Sequence, residues 1–239
     1  MLAQRAGLRP TLHAARSRKS SAAGGFLITG RSRAAHVCHV ATKSVEFSDL
    51  VGMQAPPFLL KDAVTKQDVS LEQFSDRPAL LVIFMCVHCP YTSTLKAGIA
   101  ELAVEYQAKG VAVVAVSSNN IQSHPQDAPE HMAKDAARFG YTFPFLFDET
   151  QEVAKAYSAA STPEFYVFDA QRQLAYHGQF DDNRLCMEAF PPVQSGHSLR
   201  AALDAVLAGK PASPSQPSIG CNIKWRPGTE PSYFTKQVV

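Results

Sequence analysis

The sequence predicts an α/β protein in which helices flank a central mixed β-sheet, and two patterns indicate this class. The first is a strand–helix–strand unit: an apolar, β-prone run at 79–84, helical spacing over 92–107, and a second buried strand at 111–116. A connection of this length makes the two strands parallel. The second pattern is an antiparallel hairpin formed by 164–168 and 173–177 around a four-residue turn. Together they predict a mixed sheet.

The other predicted elements follow the same reasoning along the chain. Glycines end three of the predicted helices, at Gly110, Gly140 and Gly209, as expected for a helix C-terminus. The remaining elements are an extended entry at 51–62, a short segment at 69–74, a polar loop at 117–120, a helix over 127–139, a short helix over 150–157 and a terminal helix over 198–208.

The length and composition predict one folded domain with an extension at each end. A chain of 239 residues with 46% hydrophobic residues can bury one good core. We expect a disordered organelle transit peptide at 1–45, the folded domain at 46–210, and a Pro-rich linker with a C-terminal tail at 211–239.

Residues 1–45, here called the basic leader, have the composition of a transit peptide. They hold six Arg, two Lys and no acidic residue, with many Ala and Ser. Their longest apolar stretch, 26–29, is too short for a secretory signal or a membrane span. Residues 37–41 resemble a plastid cleavage region, so we expect a chloroplast protein, with the mitochondrion as the alternative. A basic arm that stays attached is the other interpretation.

The rest of the chain is acidic, which gives no support for nucleic-acid binding. It carries 15 of the 23 basic side chains and all 21 acidic ones, a formal charge of −6. We expect no nucleic-acid partner, no membrane partner, no cofactor, and a monomer.

Cys86 and Cys89 form a Cys-x-x-Cys pair where the first predicted strand passes into a helix. At this spacing the two sulfurs lie on one side of the first helical turn, where free backbone N–H groups favour a thiolate. Such a pair indicates redox chemistry or half of a zinc site. Zinc needs a second ligand pair, and the remaining Cys and His residues show no such spacing, so we expect no metal.

Four motifs in order resemble the thioredoxin-like proteins of the AhpC/TSA (redoxin) group. They are Gly-x-x-Ala-Pro-x-Phe at 52–58, Phe-Met-Cys-Val-His-Cys-Pro-Tyr at 84–91, Thr-Pro-Glu-Phe at 162–165, and Gly-Cys-Asn-Ile-Lys-Trp at 220–225. The resemblance covers about residues 47–227. It implies a thioredoxin-like fold.

Dithiol exchange assigns a role to each residue of the Cys-x-x-Cys pair. The exposed thiolate of Cys86 is expected to attack a target disulfide, and Cys89 to resolve the mixed disulfide. The helix N-terminus and a protonated His88 are expected to lower the pKa of Cys86. A His before the second cysteine also occurs in oxidising members of the thioredoxin superfamily, so a site more oxidising than thioredoxin is expected. If His88 merely faces solvent, it has no such effect.

A second group of residues is expected to bind the target. Pro163 has the position of the cis-proline of thioredoxin folds, and we expect a cis Thr162–Pro163 bond, with an ordinary trans bond as the alternative. The backbone of Thr162 would then pair with an extended substrate, and Pro90 and Tyr91 would contribute to the same surface.

Some residues depart from the family pattern or have two interpretations. Met85 replaces a Trp, and the central strand lacks a buried Asp, so Glu164 is a candidate base for Cys89 or else a charge at a strand edge. Cys221 is either a third redox thiol or a buried anchor for the tail. Cys186 receives no role.

The predicted function is that of a thiol–disulfide oxidoreductase acting on protein disulfides, with an upstream thiol reductant as second partner. A peroxiredoxin-like peroxidase is disfavoured, because Val82 and Cys86 occupy the Pro and Thr places of the Pro-x-x-x-Thr-x-x-Cys pattern before Cys89. A copper or other metal chaperone is the third hypothesis. Such chaperones have three residues between the cysteines rather than two, and His177 is a candidate ligand only by position.

Overall fold

The computed structural model describes residues 41–50, 52–181, 195–213 and 216–234, which contain ten strands and four α-helices. The strands are β1 Ala41–Lys43, β2 Leu59–Asp62, β3 Asp68–Ser70, β4 Leu80–Phe84, β5 Ala112–Ser117, β6 Phe145–Phe147, β7 Ser161–Thr162, β8 Glu164–Phe168, β9 Leu174–Gly178 and β10 Ile219–Asn222. The helices are α1 Pro90–Ala108, α2 Pro129–Phe139, α3 Glu152–Ala156 and α4 His197–Leu207. None of the described helices is both long enough and apolar enough to cross a membrane.

Seven strands form the central sheet in the order β3-β2-β6-β5-β4-β8-β9. β4, β5 and β6 run parallel to one another, whereas β8 pairs antiparallel with both β4 and β9. The predicted parallel unit and the predicted hairpin are therefore confirmed. The two join where β8 of the hairpin pairs with β4 of the parallel unit. The mixed α/β sheet predicted from the sequence is the observed one.

The central strand β4 is buried on both faces because helices or loops cover both. Its successive side chains alternate between two apolar clusters, as the pleat of a strand requires. Leu81, Ile83 and Met85 pack with residues of α1, α2 and α4, while Leu80 and Val82 pack on the opposite face with residues of α3 and the C-terminal segment. This two-sided burial explains why the sequence of β4 is uniformly apolar.

The predicted helix over 127–139 begins later in the structure. A 3-10 turn occupies Pro125–Asp127, and α2 starts at Pro129. Proline suits this first position, because its missing N–H would have no partner inside the helix. The turn leaves Asp127 outside the α-helix, with its side chain free to reach another part of the chain.

Two segments that we expected outside the domain form a second sheet with part of it. β1 lies within the basic leader and β10 within the C-terminal tail, yet the three strands of this sheet are ordered β1-β10-β7. Ala41 pairs with Cys221, and Cys221 pairs with Thr162. The expected boundaries at 45 and 210 therefore exclude two strands of the fold. Three- and four-residue strands have too little periodicity to be recognised in the sequence.

Gly220 in β10 allows the tail to approach β7 at very short range. A Cβ atom at this position would lie 2.0 Å from the carbonyl oxygen of Thr162 and 3.2 Å from the nitrogen of Pro163. Because both are backbone atoms, they cannot turn aside, so only glycine fits.

The chain before β8 is held by the buried carboxylate of Glu164. One carboxylate oxygen accepts hydrogen bonds from the N–H groups of Ala160 (3.0 Å) and Ser161 (2.9 Å) and from the Ser161 hydroxyl. The other accepts from the Tyr166 hydroxyl and the His177 Nε2, both at 2.7 Å. Glu164 is therefore neither a strand-edge charge nor a base for Cys89: β8 is an internal strand, and the carboxylate already accepts five hydrogen bonds.

We predict that Glu164→Gln destabilises the protein by roughly 3 kcal/mol at neutral pH, because one partner of a buried pair is lost. Burial raises the pKa of Glu164, but His177 and the hydrogen bonds together hold it below its usual value. The stability that Glu164 contributes is present above the pKa that this carboxyl has in the unfolded chain. It is lost as the pH falls through the lower pKa of Glu164 in the folded protein.

Urea unfolding at neutral and acidic pH measures both effects. The matched control is Glu152→Gln, on a side chain that is 69% exposed. Equal stability of the two variants at neutral pH would contradict the structural role of Glu164.

Candidate active site

Cys86 and Cys89 lie in the segment that joins β4 to α1. The Met85 N–H donates to the Val116 carbonyl in β5 at 2.9 Å, which fixes the start of this segment to the neighbouring strand. Cys89 is the N-cap of α1, and Pro90 is the first residue of the helix. Both thiols are therefore at the strand-to-helix junction, as the sequence predicts.

Asp127 fixes the conformation between the two cysteines. Its Oδ1 accepts hydrogen bonds from the backbone N–H groups of Val87 (2.9 Å) and His88 (3.0 Å), and its Oδ2 is 2.5 Å from His88 Nδ1. The amide of Asn119 donates to the same Oδ2 at 2.8 Å. Asp127 is not among the site residues predicted from the sequence, because it lies 39 residues beyond His88. Its isolated position between Pro125 and Pro129 is the only local signal.

His88 faces Asp127 more closely than it faces a thiol. Its Nδ1 is 3.9 Å from Cys86 Sγ, and the ring stacks on His124 at a centroid distance of 5.1 Å. The ring therefore lies beside the sulfur, as one interpretation required. However, the adjacent carboxylate counters the effect of a positive charge on His88.

Cys86 differs from the exposed, acidic thiol that we expected. The residue is fully buried. Burial, the hydrogen bond to Cys89 and the negative charge of Asp127 raise the pKa of Cys86 well above its usual value. The predicted lowering of the pKa of Cys86 is wrong for two reasons. Cys86 precedes the first residue of the helix by four residues, and the negative charge of Asp127 was not predicted.

Cys89 has the environment that we expected for Cys86. Burial raises its pKa, but the thiols of Cys221 and Cys86 and the backbone N–H groups of Thr92 and Cys221 lower it well below its usual value. As a neutral thiol, Cys89 would donate to the Thr162 carbonyl at 3.2 Å. This one acceptor is outweighed by four donors. The pKa shifts of Cys89 and Cys86 therefore have opposite directions.

Cys221 belongs to the same cluster of sulfur atoms. It is buried and packs with Cys86 and Cys89, and the half-buried Tyr91 covers the group. Its hydrogen bond to Cys89, followed by burial, raises the pKa of Cys221. The tail cysteine is thus both anchored in a strand and in contact with the Cys-x-x-Cys pair.

Thr162 and Pro163 border the three thiols. The bond between them is cis, as expected. The Thr162 hydroxyl is 3.5 Å from Cys86 Sγ and 3.5 Å from the Cys221 carbonyl. The backbone that we assigned to a substrate is paired with β10 in this structure. Pro90 is exposed beside it.

One set of side chains in the described residues could contact a metal ion. The ligand atoms of Cys86, His88 and Asp127 all lie within 4.8 Å of one another. His88 Nδ1, however, is the atom that already faces Asp127. His177, the other suggested ligand, directs Nε2 to Glu164. Cys38 and Cys186 lie outside the described residues.

The fold and the thiol pair define a redox protein of the thioredoxin superfamily. The sequence model of the AhpC/TSA family matches residues 51–177, so the chain belongs to the AhpC/TSA family. No curated protein gave a match.

Solved structures share the fold of this chain. An uncharacterized conserved protein from Geobacillus kaustophilus is 45% identical, with a TM-score of 0.74 over 79% of this chain and 98% of its own. The hypothetical protein SMc02350 from Sinorhizobium meliloti 1021 is 44% identical, with a TM-score of 0.73 over 78% and 100%. A protein from Chlorobium tepidum named "putative Thiol:disulfide interchange protein DsbE" shares the fold at 18% identity, with a TM-score of 0.50 over 66% and 97%.

We predict that Cys221→Ala raises the pKa of Cys89, because the substitution removes a thiol donor. Cys221→Ser keeps an O–H donor and is expected to raise it less. The ultraviolet absorbance of the thiolate, followed during a pH titration of the reduced protein, measures the midpoint. Cys89→Ser identifies the step by abolishing it. A wild-type midpoint in Cys221→Ala would show that the tail does not stabilise the Cys89 thiolate.

Proposed function

We propose that this protein is a thiol–disulfide oxidoreductase that uses Cys86 and Cys89 to reduce protein disulfides. The observation that carries the proposal is the position of the Cys-x-x-Cys pair beside Thr162 and Pro163: Cys89 Sγ lies 3.2 Å from the Thr162 carbonyl, and Cys86 Sγ lies 3.5 Å from the Thr162 hydroxyl. The pKa of Cys89 is lowered and that of Cys86 is raised, which makes Cys89 the attacking thiol of the proposal. A dithiol poised in this way has both a nucleophile and a resolving thiol.

The exchange has two steps. The Cys89 thiolate attacks one sulfur of the target disulfide, forming a mixed disulfide and releasing the other target sulfur as a thiolate, which takes a proton from water. Cys86 then attacks Cys89 Sγ. The Cys86–Cys89 bond forms as the bond from Cys89 to the target breaks, and the second target sulfur leaves with the electron pair and takes the proton of Cys86. The target gains two electrons, and an upstream thiol reductant restores the dithiol.

These steps reverse the roles expected from the sequence. Cys89 attacks and Cys86 resolves, because the thiolate is the nucleophile. His88 and Asp127 do not touch the target in this scheme. They are positioning residues, and the charge of Asp127 keeps the proton on Cys86.

We predict that Cys89→Ser lowers the rate of insulin-disulfide reduction to that of the chemical reductant alone, because the attacking sulfur is lost. Cys86→Ser is expected to slow turnover and to leave a mixed disulfide between insulin and Cys89, which mass spectrometry identifies. Glu152→Gln, on the exposed face of α3, is the matched control and should react at the wild-type rate.

Two results would overturn the proposal. One is insulin reduction that persists in Cys89→Ser. The other is consumption of a hydroperoxide that depends on Cys89 in a protein that does not reduce insulin, which would favour a peroxidase instead.

We also propose that the basic leader directs the protein to the chloroplast. The support is its composition of Arg, Ala and Ser without acidic residues. Residues 1–45 fused to a fluorescent protein are expected to carry it into plastids. Delivery to mitochondria would support the alternative, and a cytosolic signal would contradict both.

A further inference from the structure

The C-terminal tail is attached to the active site along the edge of β7. In β10, Cys221 pairs with Thr162, whose own carbonyl and hydroxyl contact Cys89 and Cys86. The pairing is close because Gly220 has no side chain. The strand therefore takes the position at which an extended target chain would pair, and it brings its own cysteine to the site.

Asn119 connects the tail to the residues that hold the Cys-x-x-Cys segment. Its Oδ1 accepts from the backbone N–H of Lys224 at 2.8 Å, and its Nδ2 donates to Asp127 at 2.8 Å. On the other side, the Lys224 carbonyl accepts from Asn120 N–H (2.8 Å) and from the Gln151 amide (2.9 Å). The tail is therefore fixed both before and after Cys221.

Within the sulfur cluster, Cys89 packs against two thiols. Cys86 is one of them and Cys221 is the other, and both lower the pKa of Cys89. Both of these neighbours are buried, and the pKa of each is raised. Each therefore has the position and the protonated form of a resolving thiol next to Cys89. The three sulfurs offer two alternative disulfides that share Cys89.

We propose that Cys221 is a second resolving thiol, which competes with Cys86 for Cys89 and forms a Cys89–Cys221 disulfide. This inference rests on the proposed function, because it concerns the same mixed disulfide. Cys221 attacks Cys89 Sγ, and the Cys89–Cys221 bond forms as the bond from Cys89 to the target breaks. The target sulfur leaves with the electron pair and takes the proton of Cys221.

The return of β10 to Thr162 accompanies this step. In the proposed step the target first displaces β10 from the backbone edge at Thr162, so re-pairing of the strand brings Cys221 to Cys89 while it removes the target's backbone contacts. Cleavage and release of the target thus occur together.

The experiment uses the full chain and compares Cys86→Ser with the double variant Cys86→Ser/Cys221→Ser. One equivalent of diamide is expected to give a Cys89–Cys221 disulfide in Cys86→Ser, identified by peptide mass spectrometry, and no intramolecular disulfide in the double variant. In the insulin assay, Cys86→Ser should keep slow turnover, whereas the double variant should stop at the mixed disulfide.

A third variant tests the role of the strand itself. Gly220→Ala keeps all three thiols but displaces β10, and in the Cys86→Ser background it should slow formation of the Cys89–Cys221 disulfide by about tenfold, equivalent to about 1.4 kcal/mol. Glu152→Gln in the same background is the control, because this side chain is 69% exposed and lies on α3.

The possible results separate the two proposals. The inference is overturned if diamide leaves Cys221 reduced in Cys86→Ser and if this variant and the double variant accumulate the mixed disulfide equally. If the protein forms the Cys89–Cys221 disulfide but does not reduce insulin, the proposed function is refuted. The redox activity of Cys221 is then still supported.

Discussion

The geometry of the site depends on one buried carboxylate. Asp127 accepts four hydrogen bonds from three residues, and together they fix the loop between Cys86 and Cys89 and connect it to Asn119. Because Asn119 also binds the backbone of Lys224, the same interaction positions the tail. A fully buried carboxylate is tolerated here because it accepts these four hydrogen bonds.

The carboxylate of Asp127 also contributes to the difference in pKa between Cys86 and Cys89. Its negative charge disfavours a second negative charge on Cys86, while Cys89, at the start of α1, is surrounded by donors. Two cysteines with similar sequence environments thus differ in acidity because of groups that are distant in sequence. The difference in pKa between the two thiols is therefore set by the tertiary structure and not by the Cys-x-x-Cys motif.

The parts of the fold that sequence could predict are those with a local signal. The apolar run of β4, the helix after it and the hairpin of β8 and β9 have clear periodicity, and the cis bond at Pro163 follows from its place in the motif order. Asp127 could not be predicted, since no pattern links it to His88. The pairing of β1 with β10 could not be predicted either, because strands of three and four residues joined across most of the chain depend on tertiary contacts.

The close approach of Gly220 to Thr162 has a consequence for selectivity. Any extended polypeptide that replaces β10 in the same register meets the same backbone carbonyl, 2.0 Å from where a Cβ would be. Under the proposed function, the register that β10 occupies on β7 is therefore open only to a chain with glycine at this place. A target with any other sequence must bind in a different register, or farther from the sheet, than the protein's own tail does.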